Sequence, residues 1–332
     1  MALLYTPILF FLGGFAAFLF AFKKWKLAVV TSTLMFILNI IWQVCPIHVF
    51  KTPIDNNRQT IRVVTYNIYP QVDSTQYDQW QKDMIAEIKR LNADILLLQE
   101  FDYMKFPWLE SEIKKIYNIS DEEFERQRVL RGRIYSRYPI TSIRKYAPTV
   151  QMDTLSFGEK YKKTIQSRNI TQPFISAVVH LNAQDSIVVF NCHLQSCGYS
   201  SIRQEMGASK SWISGIGNYI EAIDHADDIR QWEARNIRHY VDSFCSNKPL
   251  IIAGDFNDFN ASECLNIIQG TDLSDAWWRG GTGLGLTYYG YNLTFRLDHI
   301  LYRESKLQLI NVEVNNSELS DHRAMIADFQ FK

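Results

Sequence analysis

Two long stretches without a charged side chain, residues 1–22 and 27–50, constrain this chain more than any other feature. Each approaches the ~20 apolar residues that span a bilayer as a helix. Gly13 and Gly14 lower soluble helix propensity but are common in membrane helices. Lys23-Lys24-Trp25-Lys26 separates the runs. By the positive-inside rule this loop faces the cytoplasm, and everything beyond residue 50 lies outside it. The expectation is a two-helix transmembrane hairpin over 1–50. Alternatives are an inverted hairpin and a buried core hairpin. A cleaved signal peptide lacks its basic n-region here. Residues 51–60, polar and containing Pro53, read as a linker.

Charge is distributed unevenly. The formal net charge is zero, yet the first acidic residue is Asp55, so the remainder is slightly acidic. Bulk phosphate neutralisation of duplex DNA calls for a basic domain, and this is not one. The five cysteines match no zinc spacing. Cys192 and Cys197 are read either as a pair in an oxidising compartment or as small buried hydrophobes.

Residues 61–332 form one domain of alternating strand and helix patterns. Ile61–Ile68 reads as a strand. Trp80, Met84, Ile88 and Leu91 recur at helical spacing, giving an amphipathic helix over 76–91. Ile95–Gln99 is a short buried-strand run. Phe174–Leu181 and Ser186–Cys192 form a hairpin pattern, and 202–245 is mostly helical. Pro249–Ala253 is a strand, followed by three closing strands over 295–302, 307–314 and 323–329. The mixture predicts an α/β fold of two packed mixed sheets flanked by helices.

Function is written at the polar ends of the apolar strands. Asn67, Glu100, His193, Asp255 with Asn257, Asp298 with His299, and Asp321 with His322 each follow or close such a run. If these ends meet at one edge, they form a pocket of carboxylates, imidazoles and carboxamides. Phosphoester cleavage uses that set: oxygen ligands hold a hard cation, and an Asp-oriented His moves the proton of a water. A lone member would be a solvated strand end; the ordered set carries the reading.

Val64-Thr-Tyr-Asn-Ile68, Leu97-Leu-Gln-Glu100, Tyr135-Ser-Arg-Tyr-Pro-Ile140, Phe190-Asn-Cys-His-Leu194, Gly254-Asp-Phe-Asn-Asp258, Arg296-Leu-Asp-His299 and Ser320-Asp-His322 follow in order. In these motifs the chain resembles the endonuclease/exonuclease/phosphatase superfamily from about residue 60 onward. The resemblance implies a four-layer α/β sandwich and a Mg²⁺- or Mn²⁺-dependent phosphoesterase. It places Glu100, Asn67 and Asp321 at the metal. His322 becomes the general base, Asp298 its orienting partner, and Asp255 the group that positions or activates the nucleophile. Asn257 would bind a phosphoryl oxygen, and His193 takes the phosphate-contacting or acid position.

Gly283-Leu-Gly-Leu-Thr-Tyr288 is similar to membrane-attached bacterial members, implying an inner-membrane protein with its catalytic domain on the periplasmic side. His299 stands where Tyr is common, and Arg323 where a small residue or Pro is usual. Substrates compatible with this likeness are a lipid head group, a nucleic acid or a small phosphoester. An extracytoplasmic nuclease is one alternative, and a catalytically silent membrane-tethered binding module another.

Overall fold

The computed structural model describes residues 24–46, 48, 52–119, 132–145, 174–197, 212–260, 262–290 and 294–332, with scattered positions between 13 and 20. The chain divides into two units, one of residues 1–47 with 282–284 and one of the remainder. In the smaller unit the second charge-free run forms helix α1 (Trp25–Val44). Among the described residues, however, no helix is long and apolar enough to cross a membrane. The expected two-span hairpin is therefore not found there. Thr31, Ser32, Thr33, Asn39 and Gln43 interrupt the apolar sequence of α1, and most of the first run lies outside the described residues.

The larger unit is built on two sheets. Strands β1 (Thr60–Asn67), β2 (Ile95–Gln99), β3 (Gly132–Ser136), β10 (Leu307–Val314) and β11 (Met325–Phe331) form one, in the order β10-β11-β1-β2-β3. Strands β4 (Ile140–Lys145), β5 (Phe174–His180), β6 (Ser186–His193), β7 (Leu250–Asp255), β8 (Ser274–Asp275) and β9 (Asp298–Tyr302) form the other, in the order β4-β5-β6-β7-β9-β8. Both sheets are mixed: β1–β2 and β6–β7 are parallel, while the other neighbours are antiparallel.

The period of two along each strand sorts its side chains between two cores. Ile61, Val63, Ile95 and Leu97 face Val179, Val189, Ile251 and Ile300 of the opposite sheet in a shared core. Val64, Tyr66, Leu96 and Leu98 instead face Trp80, Met84 and Ile88 of α2 (Tyr77–Leu91) and Leu109 and Ile113 of α3 (Pro107–Tyr117). On the far side, Val188, Phe190 and Ile252 meet Trp232, Ile237 and Val241 of α4 (Trp212–Phe244) and Leu265 and Ile268 of α5 (Glu263–Gln269). The result is helix, sheet, sheet, helix: the four layers expected. A fifteen-residue helix ends where Asn92 turns left-handed (φ 51°), a common C-terminal stop. Residues 202–211 and the loop 146–172 lie outside the described residues.

A buried polar strap crosses between the sheets. Asn191 Nδ2 on β6 donates to the carbonyls of Leu98 (2.9 Å) and Arg133 (2.8 Å). Gln99 Nε2 on β2 donates to Asn191 Oδ1 at 2.6 Å. This fixes the two sheets against each other beside the strand ends that carry Glu100 and His193. Cys192 and Cys197 are both buried and free, so no disulfide joins them. Cys192 packs within the apolar core, whereas Cys197 Sγ sits 3.1 Å from Arg230 Nη1.

Candidate active site

Strand register gathers the site. In parallel pairing Asn67 lies opposite Gln99, so β1 and β2 end together and deliver Asn67 and Glu100 to one edge. In the second sheet His193 pairs with Asp255, and Asp255 with Asp298. Three neighbouring strands thus present His193, Asp255 and Asp298 in one row. Glycine permits the close approach beneath this row. Gly254 has φ 149°, and a Cβ there would lie 1.9 Å from the Cys192 carbonyl oxygen. His322 enters from the segment leading into β11, anchored where Tyr288 bridges to His322 and Pro70 to Ser320.

The side chains converge on the Asp255 carboxylate. Its Oδ2 accepts from Asn67 Nδ2 at 3.0 Å, and lies 3.6 Å from His322 Nε2 and 3.8 Å from His193 Nε2. Its Oδ1 accepts from the backbone N–H of Asn257 at 2.9 Å. His322 Nδ1 donates to Asp298 Oδ2 at 2.7 Å, which aims Nε2 toward Asp255. Glu100, with left-handed backbone (φ 55°), receives Asn67 Nδ2 at 3.2 Å and has His193 Nε2 at 3.5 Å. Strained backbone of this kind recurs at functional positions.

Burial and crowded carboxylates set the protonation. Burial alone would lower His322, yet Asp298 and Asp255 push it up to about 10. Burial raises Asp255, with the neighbouring His322 opposing. Burial likewise raises Asp321, again against His322.

Two overlapping groups place ligand atoms within 4.8 Å of one another, Glu100–His193–Asp255 and Asp255–Asp298–His322. Asp298 and His322 are committed to each other at 2.7 Å, so the first group suits a cation better. Asn67 Nδ2 already lies on one oxygen each of Glu100 and Asp255, where a hard cation would be drawn. The donor set therefore fits a divalent ion. Asp321 belongs to neither group and accepts from Ser320 Oγ at 3.3 Å. The Asn257 amide Nδ2 donates to the Leu194 carbonyl at 3.1 Å, so its side chain ties the loop after β6 to the loop after β7.

The sequence pattern over residues 64–322 matches the Endonuclease/Exonuclease/phosphatase family. The chain belongs to that family. Its members are hydrolases acting on phosphoesters. None of the curated proteins matches the chain. Solved structures do, at low identity, and these likenesses concern the fold. One is the endonuclease/exonuclease/phosphatase from Bacteroides vulgatus, with TM-score 0.55 and 15% identity over 83% of this chain and 100% of that one. Another is D. rerio TDP2 complexed with single strand DNA product, with TM-score 0.54 and 14% identity over 81% of this chain and 98% of that one. The human nocturnin catalytic domain with bound sulfate anion gives TM-score 0.52 and 16% identity over 83% and 98%.

A second buried cluster escaped sequence reasoning. His299 Nε2 donates to the Asp258 carbonyl at 3.0 Å, and its Nδ1 lies 3.2 Å from Asp275 Oδ2 and 3.1 Å from Arg296 Nη1. Burial alone would raise Asp275, yet Arg296 and His299 hold it well below the usual carboxylate range. From α4, Arg230 pairs with Asp258 at 3.3 Å and Glu233 accepts from the Gln195 N–H at 2.9 Å. The only legible signal was His299 in place of the customary Tyr. Arg235 on α4 bonds Gln231 of the same helix.

Proposed function

We propose that this chain is a divalent-metal-dependent hydrolase of a phosphoester bond, with Glu100, His193 and Asp255 holding Mg²⁺ or Mn²⁺. The observation that carries the reading is the row His193–Asp255–Asp298 with His322 locked to Asp298 at 2.7 Å. Bound there, the cation would offset the phosphate charge and polarise the phosphoryl group. Asp255 and His322 Nε2 face each other across 3.6 Å, a spacing at which one water can bridge both. In this reading Asp255 orients the water, and the Asp298-held imidazole exchanges its proton. Asp321 borders the site as a further carboxylate, and Asn257, tied to the Leu194 carbonyl, braces the loop on the phosphate side.

The test is metal-dependent hydrolysis of bis-p-nitrophenyl phosphate and p-nitrophenyl phosphate by the full chain, with Mg²⁺, Mn²⁺ or EDTA. Turnover that vanishes with EDTA supports the reading. Turnover indifferent to EDTA overturns the metal dependence, and no turnover alongside no metal binding by calorimetry points to the silent binding module instead.

A nuclease reading within this class has its own support. Tyr69 and Phe259 are exposed aromatics, each two residues beyond a site asparagine. Exposed rings suit base stacking along a single strand. Degradation of single-stranded DNA or RNA checks it; a lipid head group or small phosphoester as the preferred substrate would remove it.

For localisation, we propose from residues 1–50 that the catalytic domain lies on the periplasmic side of a bacterial inner membrane. The lysines between two charge-free runs support this, as do the exposed apolar side chains Trp25, Leu27, Val29 and Val30 of α1. A reporter fused after Lys332 should read as extracytoplasmic, and a cytoplasmic signal would overturn the assignment.

A further inference from the structure

Beside the Asp255 cluster runs a cleft of about 390 Å³, lined among others by Gln71, Tyr289, Ser317, Asp321 and Arg323. Asp321 also feels the charges of His322, Glu100 and Asp255, so the cleft lies beside the reacting centre. Arg323 is its cation. The guanidinium lies 3.9 Å over the Tyr289 ring, and Nη1 donates to Tyr289 Oη at 3.0 Å. The backbones of the two residues are pinned as well. Arg323 N–H donates to the Thr287 carbonyl, and Tyr289 N–H to the Asp321 carbonyl, each at 2.7 Å. The arginine is therefore held before any ligand arrives.

Its protein partner is uncharged. Arg62, Arg238, Arg296 and Arg303 are each matched to a carboxylate. Arg323 has no carboxylate within ion-pair distance among the described residues, although Asp321 and Glu318 line the same cleft. With Nη1 used by Tyr289, the Nε and Nη2 edge has no protein acceptor among the described residues. That edge matches two oxygens of a phosphate in the bidentate geometry that arginine favours.

We propose that Arg323, carried on Tyr289, is a second anion subsite that binds a phosphate of the substrate other than the one cleaved. This rests on the phosphoesterase reading above and deepens it: the preferred substrate bears a second phosphate near the scissile one. Glu318, exposed in the same cleft, opposes that anion and keeps the subsite selective for a ligand that reaches the guanidinium.

The experiment compares two esters with the full chain and metal: thymidine 5′-(p-nitrophenyl phosphate) and the same compound carrying a 3′-phosphate. They differ by one phosphate, and both release p-nitrophenol. The native protein should show the lower KM for the 3′-phosphorylated ester. Arg323→Ala should raise that KM on the order of tenfold, as for a lost charge-assisted contact, with kcat and the KM of the simpler ester unchanged. Arg323→Lys should restore part of the effect, and Glu318→Gln should lower the KM. Thermal unfolding of each variant separates loss of fold from loss of the subsite.

Competition by oligothymidylate but not pyrophosphate places the second phosphate on a strand, and the reverse places it on a small molecule. Both outcomes support the subsite only if Arg323→Ala weakens them. Equal KM values for the two esters, or equal responses in Arg323→Ala, overturn it. Failure of either ester to turn over with metal would sink the phosphoesterase reading itself, a different result from turnover without discrimination.

Discussion

Two buried His–Asp pairs lie close in sequence and do opposite things. His322 and Asp298 meet at 2.7 Å, and His299 and Asp275 at 3.2 Å. His322 keeps one nitrogen aimed at the Asp255 carboxylate 3.6 Å away, and Asp298 Oδ1 has no hydrogen-bond partner among the described residues. The first pair has unspent hydrogen-bonding valence beside Asp255. At His299 both ring nitrogens are engaged, and Arg296 neutralises the carboxylate. That second pair braces the loop of Asp258 behind the site. Residue type and burial do not separate the two; whether the second ring nitrogen of the histidine is already taken does.

The largest effect separates them by activity. His322→Ala should lower metal-dependent turnover per folded molecule by roughly 10²–10⁴-fold, the range for a positioned acid–base group, and it should also cost stability, because Asp298 loses its buried partner. His299→Ala should cost stability alone. It leaves the direct Arg296–Asp275 pair at 2.8 Å in place but removes the contacts to Asp275 and to the Asp258 carbonyl and opens a cavity beside them, at a cost of about 2–5 kcal/mol, read by denaturant unfolding, while turnover per folded molecule is nearly kept. If His299→Ala instead abolished turnover in a fully folded protein, the comparison would break.

The pH dependence sharpens the contrast. His322 is pushed up to about 10 from an ordinary 6.5. Its proton therefore stabilises the fold fully below about pH 6.5, and that contribution is lost as pH rises through about 10. Metal-free protein should lose stability across this window, and His322→Gln should flatten the curve. A dication on Glu100 and Asp255 cancels part of the field that holds the proton. NMR titration of the His322 ring should then show a lower pKa with Mg²⁺; an unchanged value would mean that the metal sits elsewhere.

The smallest effect concerns the brace. Burial raises Glu233 from 4.5 to about 8, against its hydrogen bond from Gln195 and the charge of Arg230. A raised carboxyl destabilises the fold increasingly from pH 4.5 upward, reaching its full extent above pH 8. Glu233→Gln keeps an acceptor for Gln195 and should gain stability relative to the native chain at pH 8, with no gain below pH 4.5. A variant less stable at every pH would show that Arg230 needs the charge.

Much of this was legible in residue order. Period-two and 3.6-residue patterns gave the strands, the helix at 77–91 and the closing strands, because burial on one face leaves a periodic trace. Asn67, Glu100, His193, Asp255, Asp298 and His322 could be singled out because each is polar at the end of an apolar run. Asp321 and Asn257 belong to the same motifs. Their side chains turn to Ser320 and Leu194, a rotamer-level outcome that no spacing encodes. The N-terminal runs show the opposite limit. Absence of charge suggested two spans, but among the described residues no helix is long and apolar enough to be one.

The sequence by itself determined the element order, the family and which side chains carry chemistry, since these depend on local pattern and motif. Only the tertiary structure decided which polar groups are left unsatisfied. Parallel register put His193, Asp255 and Asp298 in one row, and the same packing enclosed His299 while leaving Arg323 on an open cleft. The physical reason is that hydrogen-bond satisfaction is a property of neighbours in space. A histidine beside an aspartate reads alike in both segments until folding gives one ring a partner at both nitrogens and leaves the other with a nitrogen facing Asp255.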